Sequence, residues 1–191
     1  MKYAAPWALG LALLSLTWLQ PPGAWGQVRI HSGALTRQSG LEHPKELERR
    51  IFQLTNEARR KNGLPALEPD DTLMTLARGK SDDMAKRHYF SHTNPEGKTL
   101  IDHYDEEKPA KIGLMARIGE NIHMGQRNDY SDIKTAARVI VDSWMLSPGH
   151  RQNILNPAYT HLGVAVAVKG KECYATQSFG QKVGQKIISR P

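Results

Sequence analysis

Three side chains in this 191-residue chain combine a reactive type with a position suited to binding: His92, Glu120 and His150. Each lies at the edge of a regular element in the sequence pattern, where a rigid frame can hold a functional group. Two imidazoles and a carboxylate can supply three ligands to a divalent metal such as zinc and leave a position open for water. They can equally pair a general base with a carboxylate that orients it.

These three residues lie far apart in the sequence and match no short metal-binding motif such as His-Glu-x-x-His. The chain has 8 histidines, and a hydrogen-bonded structural role is the default for any one of them. That default is kept for His31, His43, His103, His123 and His161. The sequence has no glycine-rich phosphate loop, no Gly-x-Ser-x-Gly turn and no paired cysteines. Ser91 and Ser147 lie near the candidate histidines, so a serine nucleophile is an alternative, but serines beside turns usually act as caps.

Hydrophobic periodicity indicates the frame that holds these residues. Apolar positions at helical spacing predict three helices, over about 44–62, from Pro69 to near His88, and from a cap at Ser131 to the break at Pro148. Alternating apolar residues predict a strand over 118–125 and a hairpin of 162–168 and 172–179, joined by a turn at 169–171. Residues 99–108 fit either a short helix or an irregular segment.

The order of helices, strand, helix and hairpin predicts an α+β fold, in which helices pack on a small, mainly antiparallel sheet. The composition, 39% hydrophobic and 24% charged, is that of a globular protein. We expect one domain over residues 43–180. A linker or extended arm at 27–42 precedes it, and a short basic tail at 181–191 follows it.

The first 26 residues have the features of a secretory signal peptide. Lys2 precedes an apolar run over 8–19, and a small-x-small cleavage site ends at Gly26. A membrane anchor is the alternative, but about 12 apolar residues are fewer than the roughly 20 that cross a bilayer. We therefore expect a secreted or periplasmic protein, with no stable membrane span after the signal is removed.

The chain is basic, with 26 Lys and Arg, 19 Asp and Glu, and a formal net charge of +7. This balance suits polyanionic surfaces outside the cell, such as anionic lipid or cell-wall polymer, or it is simply a solvated surface. No basic cluster is interleaved with aromatic residues, so no nucleic acid is expected as a partner. Cys173 is the single cysteine, so no internal disulfide can form, and its alternating segment predicts a half-buried strand residue.

Five ordered motifs resemble the bacterial branch of the CAP superfamily, also called the SCP domain. They are Asn56-Glu57-Ala58-Arg59 with the segment 63–67, Phe90-Ser91-His92, Gly119-Glu120-Asn121-Ile122, the stretch 144–155, and Gly163-Val164-Ala165-Val166. The superfamily includes cysteine-rich secretory proteins, insect antigen 5 and plant pathogenesis-related proteins. The resemblance covers about residues 46–180.

This resemblance implies a three-layer α-β-α sandwich with an open cleft that holds two histidines and acidic partners. By motif the histidines are His92 and His150, and the first acid is Glu120. Many eukaryotic relatives place a second acid three residues after the tryptophan of the third helix, but Ser147 occupies that position here. Asp142 is a candidate substitute. The disulfides of the eukaryotic members are absent.

Relatives that this chain resembles bind divalent metal at the two histidines, bind sterols or fatty acids, or have been proposed as proteases. The resemblance therefore implies a secreted binding module with a cleft of His92, Glu120, Asn121, Ser147 and His150. Zinc or another divalent metal is expected at the two histidines, and a lipid or cell-envelope component is the expected partner. A metal-dependent or general-base hydrolase that uses the same cleft is one alternative, and a purely structural role of these residues is another.

Overall fold

The computed structural model describes residues 43–106, 115–126 and 132–182. The predicted signal peptide at 1–26, the predicted arm at 27–42 and most of the predicted tail lie outside the described residues. Within the described ranges, no helix is both long and apolar enough to cross a membrane.

Helices and strands alternate irregularly along the described chain. The helices are α1 (Pro44–Lys61), α2 (Asp71–Arg87), α3 (Leu100–Glu106), α4 (Ile133–Leu146) and α5 (Pro148–Ile154). The strands are β1 (Glu68–Pro69), β2 (Met115–Gln126), β3 (His161–Lys169) and β4 (Glu172–Lys182). The three predicted helices and the predicted hairpin are present, and the undecided segment near residue 100 contains a short helix.

The four strands form one mixed sheet in the order β1-β3-β4-β2. β4 pairs antiparallel with both β2 and β3, whereas β1 pairs parallel with the first two residues of β3. The predicted α+β class with a mainly antiparallel sheet is confirmed, with one short parallel strand that the sequence pattern did not indicate. In this order β2 is an edge strand, and the predicted site residues meet beside it.

Alternation along the central strands divides the core between the two faces of the sheet. One face of β3 and β4 packs against α1, α4 and α5, through residues that include Leu47, Ile51, Ile140, Trp144, Ile154, Leu162, Val164 and Phe179. On the other face, Ala167 of β3 and Tyr174 of β4 pack against Met84 and Ala85 of α2. Helices therefore cover both faces, as the resemblance implies.

Helix α2 approaches the sheet very closely at Gly163 of β3. A Cβ atom at this position would overlap the backbone of Leu73 and Met74. Glycine therefore lets the start of α2 lie directly on β3, which gives the glycine of the 163–166 motif a physical reason.

The ends of α4 differ in detail from the prediction. Asp132 caps this helix and accepts a hydrogen bond from the backbone N–H of Thr135 at 2.9 Å. The predicted cap at Ser131 is therefore wrong by one residue, because two successive residues have capping side chains and the pattern does not choose between them. Pro148 both follows the end of α4 and begins α5, at a position where a proline needs no N–H partner.

The hairpin turn is shorter than predicted, because Lys169 pairs with Glu172 and only Gly170 and Lys171 lie between the strands. Gly170 has a φ of 61°, a conformation that glycine adopts without strain. β4 continues to Lys182, so it extends past the predicted domain boundary at residue 180.

The single cysteine, Cys173, lies on β4 as predicted, but it is fully buried rather than half-buried. It faces the layer that contains α1 and α4. Burial raises the pKa of the Cys173 thiol to about 12. The thiolate is therefore not the form present at neutral pH, and this argues against a reactive role.

Candidate functional site

The two predicted site histidines meet beside the edge strand β2. His92 lies on the loop after α2, and His150 lies in the first turn of α5. Their ring centroids are 6.1 Å apart, and the ring planes are tilted by 49°. Two imidazoles that share one metal at about 2.0–2.1 Å have centroids roughly 5–6.5 Å apart. The pair is therefore close enough for both rings to contact one cation.

Glu120 of β2 orients His92 directly. Its Oε1 lies 2.7 Å from His92 Nδ1, and its side chain is only 7% exposed. A carboxylate accepts from Nδ1–H, so in the neutral ring this bond assigns the proton to Nδ1 and the lone pair to Nε2. The other carboxylate oxygen, Oε2, is buried and has no hydrogen-bond partner among the residues that the structure describes.

His150 is half-buried, and its environment favours the neutral ring. Burial and then the nearby charge of His92 lower the pKa of His150 below its ordinary value of 6.5. A neutral imidazole keeps a lone pair at neutral pH, which is the form that binds metal ions and accepts protons.

Asn121 was predicted to line the cleft, but its side chain is fully buried. Its Nδ2 donates to the carbonyl oxygen of His150 at 3.0 Å and to Gln177 Oε1 at 3.1 Å. Its Oδ1 accepts from Asn153 Nδ2 at 2.9 Å, and Asn153 also donates to the carbonyl oxygen of Glu120 at 3.0 Å. These amides join α5 to β2, so they hold His150 at a set distance from Glu120.

Ser147, in the position of the expected second acid, lies at the junction of α4 and α5. It is the N-cap residue of α5, but its side chain makes no capping hydrogen bond. Asp142 lies on α4 with an exposed side chain. Among the described residues, no group of three His, Cys, Asp or Glu side chains is placed to hold a metal ion. The donors that the structure brings together are therefore the two imidazoles, with Glu120 bonded to one of them.

Three of the five histidines that were predicted to be structural hydrogen-bond to neighbouring side chains. Side-chain hydrogen bonds join His103 to Asn94, His123 to Ser143 and His161 to Thr160. His43 is exposed, and His31 lies outside the described residues. His88 ends α2 in a left-handed conformation, and its Nδ1 lies 3.4 Å from Glu172 Oε2.

Lys80 of α2 contacts the loop that carries His92, which the sequence pattern did not indicate. Lys80 is 7% exposed, and its Nζ donates to the carbonyl oxygen of His92 at 3.0 Å. Helical spacing contains a signal, because Lys80 lies one turn from both Leu76 and Met84 on the buried side of α2. A lysine on such a face needs a polar partner, but the spacing alone does not identify that partner.

The described structure is a sheet with helices on both faces, and two histidines and a carboxylate lie beside its edge strand. A model of the CAP family, described as the cysteine-rich secretory protein family, matches residues 52–179. The chain belongs to the CAP family, which confirms the family that the five motifs indicated.

Two curated relatives come from Bacillus subtilis (strain 168). The uncharacterized protein YkwD is 40% identical over 123 residues, which cover 64% of this chain and 43% of YkwD. The uncharacterized membrane protein YlbC is 39% identical over 132 residues, which cover 69% of this chain and 34% of YlbC. The match therefore spans less than half the length of either relative.

Several solved structures share the fold. An extracellular protein containing an SCP domain from Bacillus anthracis str. Ames is 36% identical, with a TM-score of 0.59 and coverage of 75% of this chain and 43% of that chain. An outer surface protein from Borrelia burgdorferi is 21% identical, with a TM-score of 0.60 and coverage of 72% and 94%. The structure of NaASP2 with Zn²⁺ is 15% identical, with a TM-score of 0.50 and coverage of 72% and 84%. The last two similarities bear on the fold alone.

Proposed function

We propose that this domain is an exported binding module that holds a divalent cation between His92 and His150 and uses it to bind an apolar or cell-envelope ligand. The observation that carries the proposal is the pair of imidazoles with centroids 6.1 Å apart, one of which is bonded through Nδ1 to Glu120. A carboxylate on the second nitrogen is the usual partner of a metal-binding histidine. The 36% identity to an extracellular protein of Bacillus anthracis supports the location outside the cell.

The donor set fits zinc or a similar cation. His92 Nε2 and the ring of His150 provide neutral nitrogen ligands, the type that zinc prefers. The buried Oε2 of Glu120, with no partner among the described residues, leaves negative charge that a cation offsets. With two protein ligands, solvent or the bound ligand fills the remaining positions. The affinity is therefore expected to be lower than that of a structural zinc site with four protein ligands.

The surroundings favour a ligand that is both anionic and apolar. The net charge of +7 attracts an anionic group, and a cation at the histidines supplies a Lewis acid that can hold a carboxylate or phosphate. Phe90 and Leu146 are exposed apolar side chains that lie close in sequence to His92 and His150, respectively. Large exposed apolar side chains can contribute to a ligand-binding surface, which supports a lipid or a cell-envelope component as the partner.

Isothermal titration calorimetry of Zn²⁺ into the full chain tests the cation. We expect a single binding event in the wild type and no measurable heat in His92→Ala or His150→Ala. Glu120→Gln should weaken binding by about 10–100-fold, because it removes the charged acceptor that orients His92. Melting temperatures of the variants, measured without zinc, show whether a loss of binding reflects unfolding.

The matched control is His88→Asn. His88 is 59% exposed with Nδ1 near Glu172, much as His92 is 54% exposed with Nδ1 near Glu120. Asparagine also tolerates the φ of 55° at this position. The control should bind zinc like the wild type. Negligible heat for the wild type would contradict the proposed binding of a cation. A loss of stability in His92→Ala would then favour the alternative that these residues are purely structural. The hydrolase alternative stays a prediction from the sequence.

A further inference from the structure

Lys80 of α2 is not a ligand of the proposed cation. Its ammonium is in contact with the loop that carries His92: Nζ donates to the carbonyl oxygen of His92 at 3.0 Å and lies 3.5 Å from Tyr89 Oη. The same nitrogen lies 5.1 Å from the centroid of the Tyr89 ring, which is cation–π geometry. Each of these contacts joins Lys80 to the segment that follows α2.

The cost of burying this ammonium argues against a packing role. Burial lowers the pKa of Lys80 from 10.5, while the charges of Glu120 and Asp83 raise it and that of Arg87 lowers it. The neighbouring positions Leu76 and Met84 on α2 are apolar and buried, and an apolar side chain between them would avoid the desolvation cost. The ammonium is therefore explained by what it binds and not by the volume that it fills.

His92 is held at two atoms by two groups of opposite charge. Lys80 binds its carbonyl oxygen at 3.0 Å, and Glu120 binds its ring Nδ1 at 2.7 Å. The first contact fixes the backbone of the loop, and the second fixes the side-chain rotamer. Because the His92 side chain is 54% exposed, it would otherwise be free to adopt several staggered rotamers.

We propose that Lys80 is a positioning residue of the cleft, which holds the carbonyl oxygen of His92 so that the ring stays bonded to Glu120 and faces His150 before any ligand binds. What the positioned ring binds rests on the proposed function. The positioning itself does not, because it follows from the contacts of His92 with Lys80 and Glu120 alone.

The variants are chosen to remove the ammonium and keep the fold. Lys80→Met keeps the length and the apolar stem but removes the charge and the donor. Lys80→Gln, which suits the polar surroundings better, replaces it if Lys80→Met does not fold. Lys169→Met is the matched control, since Lys169 Nζ also donates to a backbone carbonyl, that of Lys86, at 3.0 Å, but it lies on the exposed hairpin.

The first measurement needs no metal. Long-range ¹H–¹⁵N NMR spectra of the imidazoles at one fixed pH report which ring nitrogen carries the proton. We expect a single Nδ1–H form of His92 in the wild type and in Lys169→Met, and a mixture of the two neutral forms in Lys80→Met or Lys80→Gln. An unchanged His92 pattern in a folded Lys80 variant, or an equal change in the Lys169 control, would overturn the proposal.

The second measurement is the affinity for Zn²⁺ by calorimetry. We expect roughly 10-fold weaker binding in the Lys80 variant, the lower end of the range for groups that orient a metal ligand, and no change in Lys169→Met. If the wild type binds no zinc but the NMR pattern still changes, the proposed function fails and the role of Lys80 stands. If the wild type binds zinc and the folded Lys80 variant matches it in both measurements, the role of Lys80 fails and the proposed function stands.

Discussion

At the β2 edge of the sheet, strand carbonyls accept hydrogen bonds from neutral side chains, whereas at the β3 edge a charged pair binds the strand. Trp144 Nε1 donates to the carbonyl oxygen of Ile122 at 2.9 Å, and Asn153 Nδ2 donates to that of Glu120 at 3.0 Å. Both donors come from the helices that precede and contain His150. The edge strand that carries the site is therefore fixed by groups without formal charge.

The β3 edge is bound from both faces of the sheet at Val166. Glu48 of α1 accepts from the N–H of Val166 at 2.9 Å, and Arg78 of α2 donates to its carbonyl oxygen at 2.6 Å. Glu48 and Arg78 also form an ion pair with each other. β1 pairs only with the first two residues of β3. Glu48 and Arg78 therefore bind backbone groups of β3 that would otherwise be open to another strand.

The difference shows how the fold separates edge protection from the electrostatics of the site. Both solutions satisfy backbone groups that an unpaired edge exposes. Neutral donors at the β2 edge add no formal charge beside His92 and Glu120. The ion pair of Glu48 and Arg78 lies at β3, which β4 separates from β2 in the sheet.

Loss of the indole at the β2 edge should have the largest effect on stability. Trp144 is 1% exposed, so Trp144→Ala is expected to lower the free energy of unfolding by about 3–5 kcal/mol. Trp144→Phe keeps most of the packing but leaves the carbonyl oxygen of Ile122 without its donor, and should cost about 1–3 kcal/mol. Urea denaturation measures both values. A Trp144→Phe protein as stable as the wild type would show that this hydrogen bond does not hold the edge.

Removal of the charge at the β3 edge should have a smaller effect that depends on salt. Glu48→Gln keeps an acceptor for the N–H of Val166 but breaks the ion pair with Arg78, so we expect a loss of about 0.5–1 kcal/mol. Salt screens the ion pair in the wild type. The difference in the free energy of unfolding between the wild type and Glu48→Gln, measured by urea denaturation, should therefore be smaller at high salt than at low salt. The difference caused by Trp144→Phe should not shrink. Equal salt responses of the two variants would contradict the contrast between the edges.

The ion pair of Asp70 should make the fold sensitive to acid, and its removal should have the smallest effect of the three on stability at pH 7. Asp70 follows β1, caps α2 through the N–H of Leu73, and pairs with Lys182 Nζ at 2.8 Å. Burial by itself raises the pKa of Asp70. The hydrogen bond from Lys182, the hydrogen bond from the N–H of Leu73 and the charge of Lys182 outweigh burial and hold this pKa below its ordinary value of 3.8. A lowered pKa adds stability above the ordinary value, and this stability is lost as the pH falls through the pKa of the folded state.

Asp70→Asn keeps a capping side chain and removes the ion pair, so it isolates this effect. At pH 7 the variant should be less stable by under about 1 kcal/mol, as for other partly exposed pairs. The difference from the wild type should close as the pH is lowered below 3.8. Thermal unfolding at a series of pH values measures it, and a difference that stays constant down to pH 2 would contradict the assignment.

Local patterns were enough to predict most of the frame. α1, α2 and α4 each have apolar residues at helical spacing over several turns, and the hairpin has alternation with a glycine at its turn. These signals depend on neighbouring residues only. The pairing of His92 with His150 is different, because it joins segments that are far apart in the chain. Ordered family motifs indicated it, whereas spacing alone left its role open.

Contacts between distant segments account for what the sequence did not indicate. β1 has only two residues, Glu68 and Pro69, which is too short for any period to be visible. Asn121 alternates correctly along β2, but its burial depends on amides from α5 and β4. The role of Lys80 depends on a loop that folds back over α2. In each case the partner is set by tertiary packing, which outweighs local preference.

The buried thiol of Cys173 gives this protein its own chemical reporter of opening. The residue has no exposed surface and its pKa is raised to about 12, so a thiol reagent reacts only in molecules where β4 has separated from the helical layer that covers it. Since the chain has only one cysteine, the labelling rate under native conditions follows a single event. That rate gives the free energy of exposing the centre of the sheet, without denaturant and without an introduced probe.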